Sequence, residues 1–485
     1  MISLSVDRHS ADSLHRQIYD QIRDLILGGR IAPATRLPSS RLLAHDLGVS
    51  RNTVLNAYEM LLHEGYTEGR VGAGTRVSKV LPEELLSAKR SPRRAPSAAA
   101  PAGKLSRLRE VWQTGDRRTE SPLRAFRPGL PEIELFPWDV WGRLTGRFWR
   151  RPPSNLLTGG ELAGYRPLRD AIAAYLSAVR GLDCHAGQVM ITAGAQHGLD
   201  MIARLIIDPG DGVWLEQPGY SGLRTAFKAA GARPTAVPVD ESGIDVAAGR
   251  RAAPEAVCAA VTPSHHYPLG VTMSLARRLE LLEWAETAGA WIVEDDYDSE
   301  YRYGGRPLSA LQGLDGGGRV IYVGTFSKVL FPALRLGYVV VPEALIEPFL
   351  KLRASVDEHP ALAMQPVLAA FFEDGHFAAH VRRMRGLYAE RQAALLAALE
   401  RHAAGLLTAT ANDAGMHLVA KLGPAFAGDD REAAARAAAI GLRAPALSGY
   451  YADGQADQQG LVLGYAGLTA TEIDSGVAAL VAALK

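Results

Sequence analysis

The apolar positions of this chain fall into three regimes. Near the N-terminus, Leu14, Ile18, Ile22, Leu25 and Ile26 recur at i, i+4, i+8, i+11 and i+12, one stripe of an amphipathic helix that stops at Gly28-Gly29. Ser39 or Ser40 can cap a second helix over 41–47, halted by Gly48. Ser50 can cap a third, which carries Val54, Ala57, Tyr58, Leu61 and Leu62 on one side and ends at Gly65. Two short helices across Gly48-Val49, followed by a glycine-tipped hairpin over 66–77, predict a winged helix-turn-helix. Beyond it the pattern stops: SAKRSPRRAPSAAAPAGK has no apolar face and reads as a flexible linker. From 125 onward, short apolar runs at 189–192, 212–216, 256–262, 291–294 and 320–324 alternate with helical stretches. That alternation predicts an α/β fold with a mostly parallel sheet, followed by a smaller C-terminal α+β lobe. The expected domains are 1–78, a linker over 79–124, and 125–485.

Composition narrows the class. A chain of 485 residues suits about three structural units. At 47% hydrophobic and 22% charged residues, neither disorder nor a fibre accounts for the bulk. Cys184 and Cys258 are the only cysteines and form no C-x-x-C pattern. A disulfide scaffold and a cysteine metal site are therefore not expected, and a cytoplasmic protein is. No run approaches the roughly 18–20 apolar residues of a membrane span, and the first residues lack an apolar signal core. No metal ligand set is expected. Net charge is +1, but the 53 basic residues divide into 8 lysines and 45 arginines. Lysine-specific chemistry has few candidates.

In the winged unit the third helix would enter the major groove by its first turn, Arg51, Asn52 and Thr53, behind the cap Ser50. Arg41 at the second helix start and Arg70 in the wing could hold phosphates. The bland alternative is a capped helix start with solvated arginines, and residues 1–80 carry only ten basic against eight acidic groups. The linker carries ten against five over 81–124, which favours salt-sensitive contacts to a polyanion. The segments LPSSR, LGVSRNTV and the wing occur in that order over 13–78, and the region closely resembles the DNA-binding domain of GntR-type bacterial regulators. The resemblance implies double-stranded operator DNA as a partner.

The segment RVIYVGTFSKVLFPALRLG, over 319–337, carries the most chemistry. A buried strand empties into a polar turn at Lys328, and Arg335 follows. Strand ends of this kind are where α/β proteins place ligands. A lysine flanked by Phe326, Val329, Leu330 and Phe331 is suited to a Schiff base with an aldehyde, and Thr325, Ser327 and Arg335 suit a phosphate. The strand at 291–294 ends in Asp295-Asp296-Tyr297-Asp298, a carboxylate and a phenol of the kind a pyridoxal ring pairs with. The run Thr192-Ala193-Gly194-Ala195-Gln196 leads straight into a helix over 197–207, whose N-terminal N–H groups can bind an anion. Tyr220, after Glu216-Gln217-Pro218-Gly219, can stack on a planar ring. Taken singly, each is more often a solvated lysine, a surface turn or a packing tyrosine. In this order they resemble fold-type-I aminotransferases.

That resemblance implies pyridoxal 5′-phosphate as cofactor, with its Schiff base on Lys328. It implies Asp295 on the pyridine nitrogen, Tyr297 on the phenolic oxygen and Tyr220 on the ring. It places the phosphate among Ala195, Gln196, Thr325, Ser327 and Arg335. It also implies a head-to-tail homodimer. A winged helix joined to this domain resembles the MocR subgroup of GntR regulators, as does the wording VTPSHHYPLGVTMSLARRLELLEWA and EDDYDSEYRY. Two departures matter. Tyr267-Pro268-Leu269-Gly270 stands where aminotransferases have Asn-Pro-x-Gly. The strand over 460–466 lacks the arginine that clamps a substrate α-carboxylate, for which Arg302, Arg306 or the His265-His266 pair could substitute. The expectation is a regulator rather than an enzyme, with pyridoxal phosphate itself as effector. That expectation resembles the PdxR type, which controls vitamin B6 synthesis genes. The alternatives are a regulator sensing γ-aminobutyrate, taurine or a D-amino acid, and an active aminotransferase.

Overall fold

The computed structural model of the chain describes residues 4–8, 10, 12–70, 74–81, 106, 108, 111, 125–304, 309–452 and 456–485, without the side chains of Arg70 and Asn155. It divides into two compact units, Met1–Leu105 and Ser106–Lys485. Most of the expected linker lies outside the described residues, as does Arg306.

The first unit is built from α1 (Leu14–Leu27), α2 (Ser40–Leu47), α3 (Arg51–His63) and a hairpin of β1 (Thr67–Arg70) and β2 (Gly74–Val77). Ser39, not Ser40, caps α2 by accepting from Leu42 N–H, and Ser50 caps α3 by accepting from Thr53 N–H. Gly48 ends α2 in a left-handed conformation at φ 62°. The apolar stripe of α1 meets Val54, Ala57 and Leu61 of α3 in one core, and the core also takes in Tyr19 and Tyr66.

The second unit centres on an eight-stranded sheet. Its strands are β3 (Val189–Thr192), β4 (Gly212–Gln217), β5 (Arg233–Asp240), β6 (Gly243–Ile244), β7 (Ala256–Val261), β8 (Trp291–Asp296), β9 (Val320–Thr325) and β10 (Gly337–Val340). Their order is β3-β10-β9-β8-β7-β4-β5-β6. The run β9-β8-β7-β4-β5 is parallel, and β10 lies antiparallel between β9 and β3. Side-chain alternation sends Ile191 and Tyr322 into one core with the helix Arg166–Arg180, and Met190 and Val323 into another with the helix Ala195–Ile206. Both faces are thus covered, which explains why the strands read as continuous apolar runs.

A smaller lobe carries β11 (Leu407–Thr408), β12 (His417–Leu422) and β13 (Gly460–Gly464), packed on the helices His376–His402 and Ala470–Leu484. Phe126 belongs to this lobe's core, and its carbonyl accepts from Gly464 N–H at 2.9 Å. Among the described residues no helix is long and apolar enough to cross a membrane.

Candidate functional site

Strand register gathers the site. Asp296 pairs with Gly324 across β8 and β9, and Gly337 on β10 pairs with both Thr325 and Thr192. The Asp295, Thr325 and Thr192 ends therefore share one edge of the sheet, where open α/β folds bind ligands.

Beyond β3, Gly194 takes φ 88°, a conformation that favours glycine, and the helix begins at Ala195 rather than at His197 as the sequence pattern had set it. Ala195 and Gln196 thus lie in the first turn of a twelve-residue helix, where backbone N–H groups have no intrahelical acceptor. Arg335 reaches the same point. Its guanidinium donates to the Ala193 carbonyl at 3.0 Å and sits beside Gly194. Arg335 adopts φ 51°, a left-handed conformation rare outside glycine, directly after the short helix Pro332–Leu334. Thr325 is buried and accepts from Ser327 N–H at 3.2 Å. The Ser327 Oγ is buried with no hydrogen-bond partner among the described residues.

Lys328 is half-buried, behind the core residues Phe326, Val329 and Leu330. Its Nζ donates to the Gly129 carbonyl at 2.9 Å. Gly129 has φ 66°, a conformation that favours glycine, and a Cβ there would lie 2.5 Å from Nζ, so the tip of the lysine would have to move.

The two adjacent aspartates part ways. Asp296 accepts from Arg180 at 2.7 Å, from the Tyr322 hydroxyl at 2.5 Å and from Ser299 at 2.8 Å. Asp295, facing the other side of the strand, has a buried Oδ1 without a partner among the described residues. Burial, together with the charges of Asp296 and Asp298, pushes its carboxyl up to about 7, although Lys328 pulls the other way. A buried carboxylate oxygen short of a proton donor is what a pyridinium N–H would satisfy. The orphaned Ser327 hydroxyl and the Ala195 helix start fit a phosphate in the same way.

Tyr220 lies after β4, and its hydroxyl donates to Gln196 Oε1 at 3.2 Å. Tyr297 lies just past β8, with its hydroxyl 3.0 Å from His265 Nδ1. His265 Nδ1 is in turn 3.1 Å from both oxygens of Asp298. Sequence reasoning left Gly129, Arg180, Asp298 and His417 without a role, and offered His265 only as a stand-in for the missing arginine. His265, Asp298 and His417 are buried and bring three metal-ligand-type atoms within 4.8 Å of one another. His265 lies in the segment VTPSHHYPLG and Asp298 closes the strand end EDDYD, whereas His417 lies in no motif. Tyr267 of the first segment spends its hydroxyl on Tyr450 at 3.0 Å.

On the winged unit, Arg41, Arg51 and Asn52 are exposed and Thr53 is half-buried. Ser50 Oγ also meets Thr53 Oγ1 at 2.8 Å, and Arg51 Nε donates to Ser40 Oγ at 3.3 Å. Arg70 lies in β1, and its side chain is outside the described residues.

Comparison with known proteins agrees with both halves. Residues 14–77 match the family described as bacterial regulatory proteins, gntR family, and residues 153–477 match aminotransferase class I and II. The chain is 42% identical over 477 residues to the probable rhizopine catabolism regulatory protein MocR of Rhizobium meliloti, covering 98% of this chain and 95% of that one. It is 33% identical over 392 residues to the pyridoxine biosynthesis transcriptional regulator PdxR of Corynebacterium glutamicum, covering 81% and 80%. Among solved structures it is similar to the α-aminoadipate aminotransferase LysN of Thermus thermophilus, complexed with N-(5′-phosphopyridoxyl)-L-leucine. That match has TM-score 0.68 and 29% identity and covers 79% of this chain and 95% of that one. The chain therefore belongs to the MocR-type GntR regulators, in which a winged helix-turn-helix is joined to a pyridoxal-phosphate-binding domain of the class I and II aminotransferases.

Proposed function

We propose that this regulator carries pyridoxal phosphate on Lys328 and that its hold on operator DNA depends on the state of that lysine. The observation that carries the reading is the buried Asp295 oxygen, without a partner among the described residues, at a strand end within reach of the charge of Lys328. When bound, the cofactor supplies an aldehyde for the lysine and a ring that withdraws electrons. Asp295 would hold the ring nitrogen, Tyr297 the phenolic oxygen and Tyr220 the ring face. Ala195, Gln196, Thr325, Ser327 and Arg335 would hold the phosphate. Arg41, Ser50, Arg51, Asn52, Thr53 and Arg70 would face DNA. The buried strand β13 has the sequence GLVLG and no guanidinium to fix an α-carboxylate, which supports a sensor without transaminase turnover.

Two effectors fit. Pyridoxal phosphate itself, with vitamin B6 synthesis genes as targets, needs no carboxylate clamp. A small amino compound that displaces Lys328 is favoured by the relative named for rhizopine catabolism, because that likeness spans 98% of the chain. Operator binding with and without pyridoxal phosphate tests the first, with Lys328→Ala as control. If affinity is unchanged by cofactor in both proteins, Lys328 is not the switch. Addition of candidate amines to the loaded protein, read by visible absorbance and DNA affinity together, tests the second. A head-to-tail homodimer is supported by exposed Leu135, Trp138, Trp149 and Leu157, which leave an apolar surface over that stretch. Light scattering giving a monomer mass would rule it out.

A further inference from the structure

We propose that His265 is a positioning residue for the cofactor: clamped by Asp298, it fixes the direction of the Tyr297 hydroxyl and so sets the protonation of the Schiff base at Lys328. This rests on the reading that Lys328 carries pyridoxal phosphate and that Tyr297 faces its phenolic oxygen.

His265 Nδ1 lies 3.1 Å from each Asp298 oxygen and 3.0 Å from the Tyr297 hydroxyl. An ionised carboxylate only accepts, so the shared proton sits on Nδ1. Nδ1 then has no lone pair to receive a second proton. The Tyr297 oxygen becomes an acceptor of the forked N–H, and its own O–H is turned away from His265. Asp298 dictates the tautomer, and the tautomer dictates which way the phenol donates.

The relay is flanked by His266, which burial and the adjacent His265 hold down to about 3, by Asp296 and by the groups that follow. His417 approaches from β12 with ring centres 5.2 Å apart. Burial and the adjacent His265 hold His417 down to about 3, and it meets the Pro268 carbonyl through Nε2 at 3.0 Å, so it stays neutral. Tyr267, on the same turn as His265, points its hydroxyl at Tyr450. Burial raises the Asp298 carboxyl, with His265 beside it and then Lys328 pulling the other way, and Asp295 acts on the Tyr297 phenol through its charge. With the asparagine of Asn-Pro-x-Gly replaced by Tyr267, Tyr297 is the phenol left to serve the phenolic oxygen.

A donor aimed at a phenolate oxygen withdraws its charge and loosens its hold on the neighbouring imine proton. Losing that aim raises the pH at which the Schiff base deprotonates. The test is a pH titration of the visible absorbance of full-length, pyridoxal-phosphate-loaded protein. His265→Leu should raise the midpoint by about one pH unit, a tenfold change in the proton equilibrium. His265→Asn, whose amide can donate to both Asp298 and Tyr297, should return it towards the parent value. A His265→Leu protein that binds cofactor stoichiometrically and titrates like the parent overturns the proposal. If that variant does not fold, Asp298→Asn decides: a raised midpoint supports the relay and an unchanged one overturns it. A parent protein with no visible band overturns the Lys328 reading instead.

Discussion

Asp295 and Asp296 are neighbours on one strand, yet Asp296 is saturated by Arg180, Tyr322 and Ser299 while Asp295 keeps a buried oxygen without a partner among the described residues. In the cofactor-free protein this has a pH signature. The Asp295 carboxyl is raised from 3.8 to about 7. Between those values the folded state holds a proton that the unfolded state has released, so stability falls as pH rises through the window and is flat above it. Asp295→Asn removes that penalty. The cofactor-free variant should melt a few degrees higher than the parent at pH 8 and no differently at pH 4, while binding pyridoxal phosphate more weakly. Equal melting at pH 8 would mean the carboxylate is not strained.

Arg180 comes from the far end of a surface helix and is buried against Asp296 at 2.7 Å. Removing one partner of a buried ion pair leaves the other uncompensated, at a cost of about 3–5 kcal/mol. Arg180→Met should therefore lower the denaturation midpoint of the cofactor-binding unit sharply and leave the winged unit's transition alone. Calorimetry that resolves the two transitions checks this.

Gly129→Ala would set a methyl 2.5 Å from Lys328 Nζ at a left-handed backbone position. Cofactor affinity should drop by about tenfold or more, since a misplaced lysine loses the geometry the bond needs. Equilibrium binding read at the visible band decides it, and parental affinity would show that the segment can retreat at no cost.

In the winged unit, cap and contact separate. Ser50 Oγ accepts from Thr53 N–H at 3.1 Å, so Ser50→Ala should cost about 1 kcal/mol of stability. Arg51 is exposed, so Arg51→Ala should leave stability within about 0.5 kcal/mol while weakening operator binding and flattening its dependence on salt. An Arg51→Ala protein with parental affinity and salt slope would remove Arg51 from the interface.

Much of the fold was legible because period and punctuation agreed. The strand runs at 189–192, 256–262 and 320–324 lie within a residue or so of β3, β7 and β9. The caps Ser50 and Gly48 stand where their chemistry puts them. The site was legible only as strand ends. Nothing in EDDYD distinguishes Asp295 from Asp296 until Arg180 and Tyr322 arrive from 116 and 26 residues away. Gly129 gave no signal because its role is a close approach to a side chain 199 residues distant. The link from His265 to Asp298 spans 33 residues and two strand ends, so only the parallel pairing of β7 and β8 makes it local.

The Lys328 to Gly129 hydrogen bond has a consequence for the chain as a tether. An ammonium has three N–H groups to give, and a lysine joined to a cofactor aldehyde, as proposed, would keep at most one. On the proposed reading, the bond to the Gly129 carbonyl would belong to the lysine without its cofactor. Gly129 lies in the stretch by which the chain, coming from the winged unit, first joins the second unit's core, with Phe126 pinned to Gly464 just before it. Ala125, held by Arg443 N–H, and Phe126, held by Gly464 N–H, stay fixed either way, so loading the lysine as proposed would release one of several fixings of that stretch and carry the chemistry of a single nitrogen to the backbone at Gly129.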